Sequence, residues 1–490
     1  MELQKLNLLG ITVLPVLGIL LLLVWKKATK LQAVVVGIIS ESLSLISALL
    51  LIPALNAGET VTFSVPWIRN MGIHYSLELT WLSFIFLLTE ILVTLAGMFF
   101  SLGETTGEKN SHFYYALLLL FSLGMSGTTL AEDVFLFYVF WELMLIASVI
   151  LILIWGKGAE RNRIALKYFI ITHIGSLMVL VSLITLYVNL GTASLNVIAQ
   201  SAGNLALPLV NFLIAFFVIG FCVKMAIFPL HIWLPDAHTV APMPVTIVLA
   251  AAMLSMGTYG ILRFPMAIFT LERMQPFALW LMIAGLISEV YGALMAFAEK
   301  KIKRIIAYSS VSQMGYILYG LGTLTEAGMI GGIMHVVYHA IVKALLFMVV
   351  GVLLNVTHEE TIEKVGGLGR KLPVLVICAA IGVLGISGMP PLGIFNSEWM
   401  IFTGGFNTDF PVVLTVLTLL GSLFTVIYSL RFFGAIFFGK LQPENIQQPS
   451  RLLLIPTIVV TVFLIVEGLI PGPLYTWASR SLAVVLGGIP

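Results

Sequence analysis

Charge is what this sequence has least of. Only 10% of its 490 residues are Asp, Glu, Lys or Arg, against 60% hydrophobic, and mean hydropathy is +1.08. Soluble chains carry about 25% charged residues, and the few ionisable groups here cannot cover a water-facing surface of this size. The net charge of +2 includes no basic run that could follow a nucleic-acid backbone. Cysteine is nearly absent, and Cys222 and Cys378 both lie in apolar stretches, which excludes a disulfide framework and a thiolate metal cluster. There is no Gly-rich dinucleotide fingerprint and no phosphate-binding loop ending in Gly–Lys–Ser/Thr, and Gly366–Gly367–Leu368–Gly369 reads as a turn. The chain therefore cannot do redox chemistry or hydrolyse nucleotide alone. A polytopic α-helical membrane protein remains.

About twenty apolar residues cross a bilayer as helix. Such runs lie near 7–25, 33–52, 78–101, 111–129, 132–155, 163–190, 207–230, 239–263, 275–297, 303–321, 329–355, 373–403, 411–438 and 452–470, about fourteen in all. The first is read as a retained span, because it has no small-residue cleavage site and is followed at once by Lys26, Lys27 and Lys30. Loops after odd-numbered spans hold most of the loop Lys and Arg, including Lys157, Arg161, Lys300, Lys301, Arg370 and Lys371. Loops after even-numbered spans hold Arg69, Arg263 and Arg273. The positive-inside rule then puts the odd loops in the cytoplasm and both termini outside a cytoplasmic membrane. The polar-leaning stretches around 53–77 and 191–206 read as loops, and 474–486 as too short and Gly-rich to span.

Ionisable groups at mid-span each cost roughly 2.5–3.5 kcal/mol, so they are functional candidates by default. Glu142 lies near the middle of the fifth span. Lys224 closes the apolar part of the seventh, just before Phe228–Pro229–Leu230–His231–Ile232–Trp233–Leu234–Pro235, whose prolines mark an interrupted helix. His335, His339 and Lys343 recur every four residues in the eleventh span, a polar stripe along one helical face. Glu398 follows a second break, Ser387–Gly388–Met389–Pro390–Pro391, five spans after the first. Five is odd, so two five-span units in series have opposite topologies, the inverted-repeat pattern of many transporters. The alternative for each group is helix packing or snorkelling. Glu41, Glu90, Glu289 and Glu467 are buried acids with no charged partner visible in sequence. Glu132 and Asp133 are expected to be solvated at the outer end of the fifth span. His231, Asp236 and His238 suggest metal ligands, but a structural role at the break is the better reading, since no third strong ligand accompanies them.

From about 70 to 440 the chain resembles the antiporter-like subunits shared by respiratory complex I, Mrp cation/proton antiporters and membrane-bound group 4 hydrogenases. The resemblance rests on Phe140–Trp141–Glu142, Lys224 with the Phe228–His238 segment, Ala241–Pro242–Met243–Pro244–Val245, Lys303–Gly315, His339 with Lys343, and the Pro390–Pro391 break. It implies an all-α fold of about fourteen transmembrane helices with two inverted five-helix repeats, each with a broken helix. The expected divisions are N-terminal helices over 1–110, a first repeat over 111–263, a second over 275–440, and a C-terminal helix and tail over 441–490. It also implies that Glu142 and Lys224 form the ion pair of one half-channel, that His335, His339 and Lys343 form a central axis, and that Glu398 is the exit residue, a glutamate where several relatives carry lysine, as in subunit M of complex I and the large antiporter-like subunit of archaeal hydrogenase or sulfane reductase complexes.

The same resemblance implies no cofactor and no metal bound by this chain, redox cofactors in partner subunits, other membrane subunits as partners, and protons as cargo, with sodium as an exchange ion. A non-redox antiporter subunit, a self-contained secondary carrier and a scaffold whose charges only pack remain as other readings. One departure stands out. Relatives often carry a second lysine in the eighth span in a Leu–Lys–x–Gly setting, where this chain has Leu254–Ser255–Met256–Gly257. Ser255 can hold a water but cannot carry a proton as lysine does.

Overall fold

The computed structural model describes residues 2–105, 107–442 and 446–487. The chain opens with α1 (Glu2–Val24), α2 (Lys30–Leu49) and the short α3 (Ile52–Asn56), then a hairpin of β1 (Val61–Ile68) and β2 (Ile73–Leu79). Next come α4 (Trp81–Ser101), α5 (Ser111–Leu130), α6 (Val134–Trp155), α7 (Arg161–Leu190) and the short α8 (Leu195–Ser201). The first break separates α9 (Leu207–Met225) from α10 (Leu234–Val240). α11 (Met243–Val248) and α12 (Ser255–Ile261) alternate with π-helical turns at Leu249–Met253 and Leu262–Met266, and α13 (Ala267–Ala298) continues from them. α14 (Ile302–Gly322) and α15 (Glu326–Thr357) precede the second break, between α16 (Pro373–Ile386) and α17 (Gly393–Phe406). α18 (Val412–Phe437), α19 (Arg451–Leu469) and α20 (Gly472–Val485) complete the chain.

Among the described residues, eleven helices are long and apolar enough to cross a membrane. A count of fourteen needs three further assignments. Met243–Ala298, one continuous helical run, must be divided at Thr270, whose φ of 65° is not helical. The charge-bearing α14 must count as a crossing, and so must the broken pair α16–α17. The outward faces are what lipid requires: Leu17 and Leu20 on α1 and Val413, Leu417, Leu420 and Phe424 on α18 are exposed. α15, by contrast, is buried along nearly its whole length and forms the axis of the bundle.

Close packing at the centre depends on small residues. A Cβ on Gly315 of α14 would lie 2.5 Å from the Glu289 backbone nitrogen of α13, and one on Gly292 of α13 would lie 2.4 Å from the Ser312 nitrogen. Only glycine lets these two backbones approach so nearly.

The stretches expected to be plain loops carry structure. The 61–79 hairpin is antiparallel, with Val61 opposite Leu79 and Val65 opposite Tyr75, and it turns at Gly72 (φ 63°). Glu132 and Asp133, expected to be solvated, are 9% and 1% exposed. Asp133 caps α6 through the Phe135 and Leu136 N–H groups at 2.9 and 3.2 Å and accepts the His74 N–H of β2 at 3.0 Å. Glu132 accepts from Ser194 Oγ and from the Asn196 N–H at 3.2 Å. These carboxylates hold the hairpin and the start of α8 against α6, which satisfies backbone donors that would otherwise be buried without a partner. Glu78 of β2 adds an ion pair with Arg263 at 2.8 Å. α20 is helical and packs on α4, where Trp477 stacks on Trp81 at 6.0 Å.

Candidate ion pathway

The first group of candidate residues gathers where α6, α7 and α9 meet. The α9 helix ends at Ala226 (φ 57°), and the Trp233 indole donates to the Val223 carbonyl at 3.0 Å, so the break is tied back onto the helix it interrupts. That geometry leaves Lys224 in the last helical turn, 2% exposed, its ammonium 4.8 Å from the Trp141 ring centroid and with no hydrogen-bond partner among the described residues. The aromatic face supplies cation–π stabilisation, and the Glu142 charge acts on the ammonium without touching it.

The expected Glu142–Lys224 ion pair is not formed as a direct contact. Glu142 Oε2 instead lies 3.1 Å from Nδ1 of His173 on α7, and its other oxygen is buried without a partner. Trp141 stands between the roles: its indole donates to Ser176 at 3.0 Å and its ring faces Lys224. Sequence reasoning missed His173. A lone histidine at mid-span was the available signal, since imidazole in hydrocarbon is as exceptional as a carboxylate.

The second group lies along α15. His335, His339 and Lys343 are all fully buried and the two ends of the stripe face α14. Lys343 Nζ donates to the Ile306 carbonyl at 2.9 Å and to Ser309 Oγ. His335 bridges two helices, with Nε2 3.0 Å from Gln313 Oε1 of α14 and Nδ1 3.0 Å from Ser397 Oγ of α17. His339, between them, has no partner on either ring nitrogen among the described residues. Buried imidazoles without partners are costly unless water or a proton carrier occupies the adjoining space.

Glu398 adjoins Ser397 on α17 and is 6% exposed. Its carboxylate folds back against the second break, where a Cβ on Gly388 would lie 2.2 Å from Oε2. Gly388 also has φ 65°, so the position needs glycine twice over, for backbone conformation and for space. A cavity of about 510 Å³ lined by Gly388, Glu398, Trp399 and Ser422 opens beside the carboxylate.

Ser255 does not fill the lysine position chemically. Its hydroxyl is buried and donates to the Ala252 carbonyl of its own helix, at the end of the Leu249–Met253 π-turn. Thr258 Oγ1, one turn further, and both ring nitrogens of His238 are buried without partners. His238 packs against Phe347 with ring centroids 5.3 Å apart and feels the charges of Lys303 and Lys343. The next residue, Thr239, lines a cavity of about 220 Å³ together with Glu104, Lys157, Lys303, His358 and Glu360. His238 thus adjoins in sequence a residue that lines the polar cavity and sits within electrostatic reach of Lys343, a placement the sequence did not reveal. Asp236 serves instead as a clasp between helices, accepting from Lys167 at 2.8 Å and from Arg304, which also donates to Glu299 at 2.7 Å. Among the described residues no group of three His, Cys, Asp or Glu side chains could hold a metal ion.

A bundle with two interrupted helices and a file of buried, partly unpartnered proton-exchanging side chains defines a membrane transport subunit. The family described as NADH:quinone oxidoreductase/Mrp antiporter, transmembrane, matches residues 131–425, and the chain belongs to it. It is 36% identical over 383 residues to the NAD(P)H-quinone oxidoreductase chain 4 2 of Thermosynechococcus vestitus, covering 77% of this chain and 71% of that one. Among solved structures it is similar to a chain of the membrane-bound sulfane sulfur reductase, an archaeal respiratory membrane complex (TM-score 0.88, 26% identity, 96% of this chain and 77% of that chain). It is likewise similar to a chain of the Mrp complex from Dietzia sp. DQ12-45-1b (TM-score 0.85, 26% identity, 98% of this chain), of which it spans about half, 52%.

Proposed function

We propose that this chain translocates protons as one membrane subunit of a redox-driven multisubunit complex, with the electron-transfer cofactors housed in other chains. The observation that carries this reading is the line Lys343–His339–His335–Ser397–Glu398. It joins the neighbourhood of one cavity, through His238, to another cavity beside Glu398. Every member can exchange a proton or pass one through a hydroxyl, and groups spaced four residues apart on a helix are within reach of bridging water.

In this reading Glu142, His173 and Lys224 are the loading group of the first half, built on 111–263, and the α15 stripe with Glu398 is the second half, built on 275–440. His173 and Lys224 compete for the Glu142 charge. A shift of Glu142 toward Lys224 stabilises its ammonium, and a shift toward His173 frees it to release a proton into the interior. Ser255 lacks a titratable proton, so transfer between the halves uses His238 or water beside Thr258. The surrounding membrane is the cytoplasmic one, with both termini on its outer side, as the distribution of Lys and Arg supports.

The test is gradient formation by the assembled complex carrying Lys224→Ala or Glu398→Ala. Pumping should fall sharply in both while electron transfer persists, and wild-type pumping in both removes the proposal. A second reading has support from the family's span across quinone oxidoreductases and Mrp antiporters: cation/proton exchange without redox coupling. Purified chain in liposomes that exchanges ions down a gradient, with no partner present, would establish it.

A further inference from the structure

Outside the line of groups just described, a second buried polar cluster lies among the first helices. Glu41 of α2 and Glu90 of α4 are both fully buried. Glu90 accepts from Ser122 Oγ of α5 at 3.1 Å and from Ser126 Oγ. Glu41 lies next to Ser122 and to the Glu90 charge, and among the described residues neither of its oxygens makes a hydrogen bond of good geometry.

The register of α2 against α4 adds another donor. Trp81 Nε1 reaches the Leu55 carbonyl at 3.0 Å, and a Cβ on Gly37 would lie 3.1 Å from Met98 Sδ, so the two helices run antiparallel. One turn on from Gly37 is Glu41, and one turn back from Met98 is Thr94, whose hydroxyl is fully buried and also unpartnered. Thr94 also lies one turn from Glu90 along α4, on the same face of that helix. Among the described residues no Lys, Arg or His acts on either acid.

Two carboxylates in a low-dielectric interior with no basic neighbour are unstable unless positive charge joins them. The hard-oxygen set around them, two carboxylates and the hydroxyls of Thr94, Ser122 and Ser126, suits a small hard cation and offers nothing to a soft one. We propose that Glu41, Glu90, Thr94, Ser122 and Ser126 form a sodium-binding site in which Na⁺ exchanges with a proton. Charge balance sets the stoichiometry. Two protons neutralise the pair, and so do one proton and one Na⁺, so each sodium bound releases one proton and the site is neutral in both states.

A run of polar groups leads to it from the hairpin. Tyr75 Oη of β2 and Thr12 Oγ1 of α1 are 2.9 Å apart, and Ser44, one turn from Glu41, donates to the Ile11 carbonyl beside Thr12. This site does not depend on the proton line through Lys343, and neither proposal falls with the other.

The experiment is ²²Na⁺ binding to the full chain in its purified complex, with infrared difference spectra recorded on adding NaCl against choline chloride. Wild type should bind sodium and lose intensity in the protonated-carboxyl stretch. Glu41→Gln and Glu90→Gln should each weaken binding at least about tenfold and abolish the spectral change. Ser126→Ala, a milder change that keeps both acids, should weaken it less, and Glu467→Gln, an acid elsewhere in the bundle, should leave it intact. Absence of sodium binding in wild type overturns the proposal. So does binding that both glutamine variants retain, or a carboxyl band unchanged by sodium.

Discussion

His173 Nδ1 lies 3.1 Å from Glu142 Oε2, on the helix beside the one that positions Glu142. That contact makes Glu142 a carboxylate with a choice of basic partners. His173→Ala removes one of them. Loss of a hydrogen bond to a charged group is worth about 1.5–3 kcal/mol, so Glu142 should bind its alternative, Lys224, more firmly and release protons more slowly. The expected outcome is a several-fold fall in protons moved per electron in reconstituted complex, with electron transfer retained. His173→Gln, which can still donate, should recover part of the loss.

Lys343 offers a sharper separation of stability from transport. Its ammonium is fully buried and held by the Ile306 carbonyl and Ser309 hydroxyl. Ser309→Ala leaves the charge with a poorer shell and should destabilise the protein by about 1–3 kcal/mol. Lys343→Met removes the charge but fills the same volume, and replacing a buried ionic group by an apolar one of similar shape is often neutral or stabilising. Thermal unfolding in detergent should therefore rank Lys343→Met at or above wild type and Ser309→Ala below it. Proton pumping should be lost in Lys343→Met alone.

Gly388 is the most constrained point of the second break. An alanine there must adopt φ near 65° and place its Cβ against the Glu398 carboxylate. Strain of this kind costs of order 1–3 kcal/mol, and relief requires Glu398 to move into the adjoining cavity. Gly388→Ala should lower the unfolding temperature and reduce pumping together, whereas Gly434→Ala, whose Cβ would meet nothing nearer than 4.0 Å, should do neither.

Both helix breaks and the charge-bearing spans were legible because they rest on local chemistry. Proline removes a backbone donor wherever it stands, and Lys or Glu among leucines is conspicuous without knowing its neighbours. Pairings were not legible. Glu41 and Glu90 stood out as buried acids, but that Ser122 and Ser126 join them depends on how α2, α4 and α5 pack. Glu142 was expected to meet Lys224, and the intervening Trp141 face and the His173 ring were hidden because each is contributed by the three-dimensional register of separate helices. The 61–79 hairpin was missed for a different reason: its alternation is short and interrupted by Pro66, so composition alone reads as a polar loop. Glu132 and Asp133 were placed in solvent for want of that hairpin, since nothing else would cover them.

Asp236 gives a pH dependence with a definite sign. Burial raises its proton affinity, but hydrogen bonds from Lys167 and Arg304 and their positive charges outweigh burial and hold the carboxyl below its ordinary value. Glu299 behaves alike, with burial opposed by the Arg304 guanidinium and the Lys300 and Lys301 N–H groups. A carboxyl with a depressed folded-state pKa contributes stability above its unfolded value, about 3.9 for Asp and 4.3 for Glu. That contribution is lost as pH falls through the folded value. The cluster ties α7, α10 and α14 together, so acid should loosen the helix break from its neighbours. Wild-type unfolding temperature should be flat from about pH 7 to 5 and fall below about pH 4. Asp236→Asn should start lower at neutral pH and decline less steeply in acid, and high salt should narrow the difference because Asp236 and Lys167 are partly exposed. Parallel wild-type and Asp236→Asn curves across that range would show that the cluster is not the source of acid sensitivity.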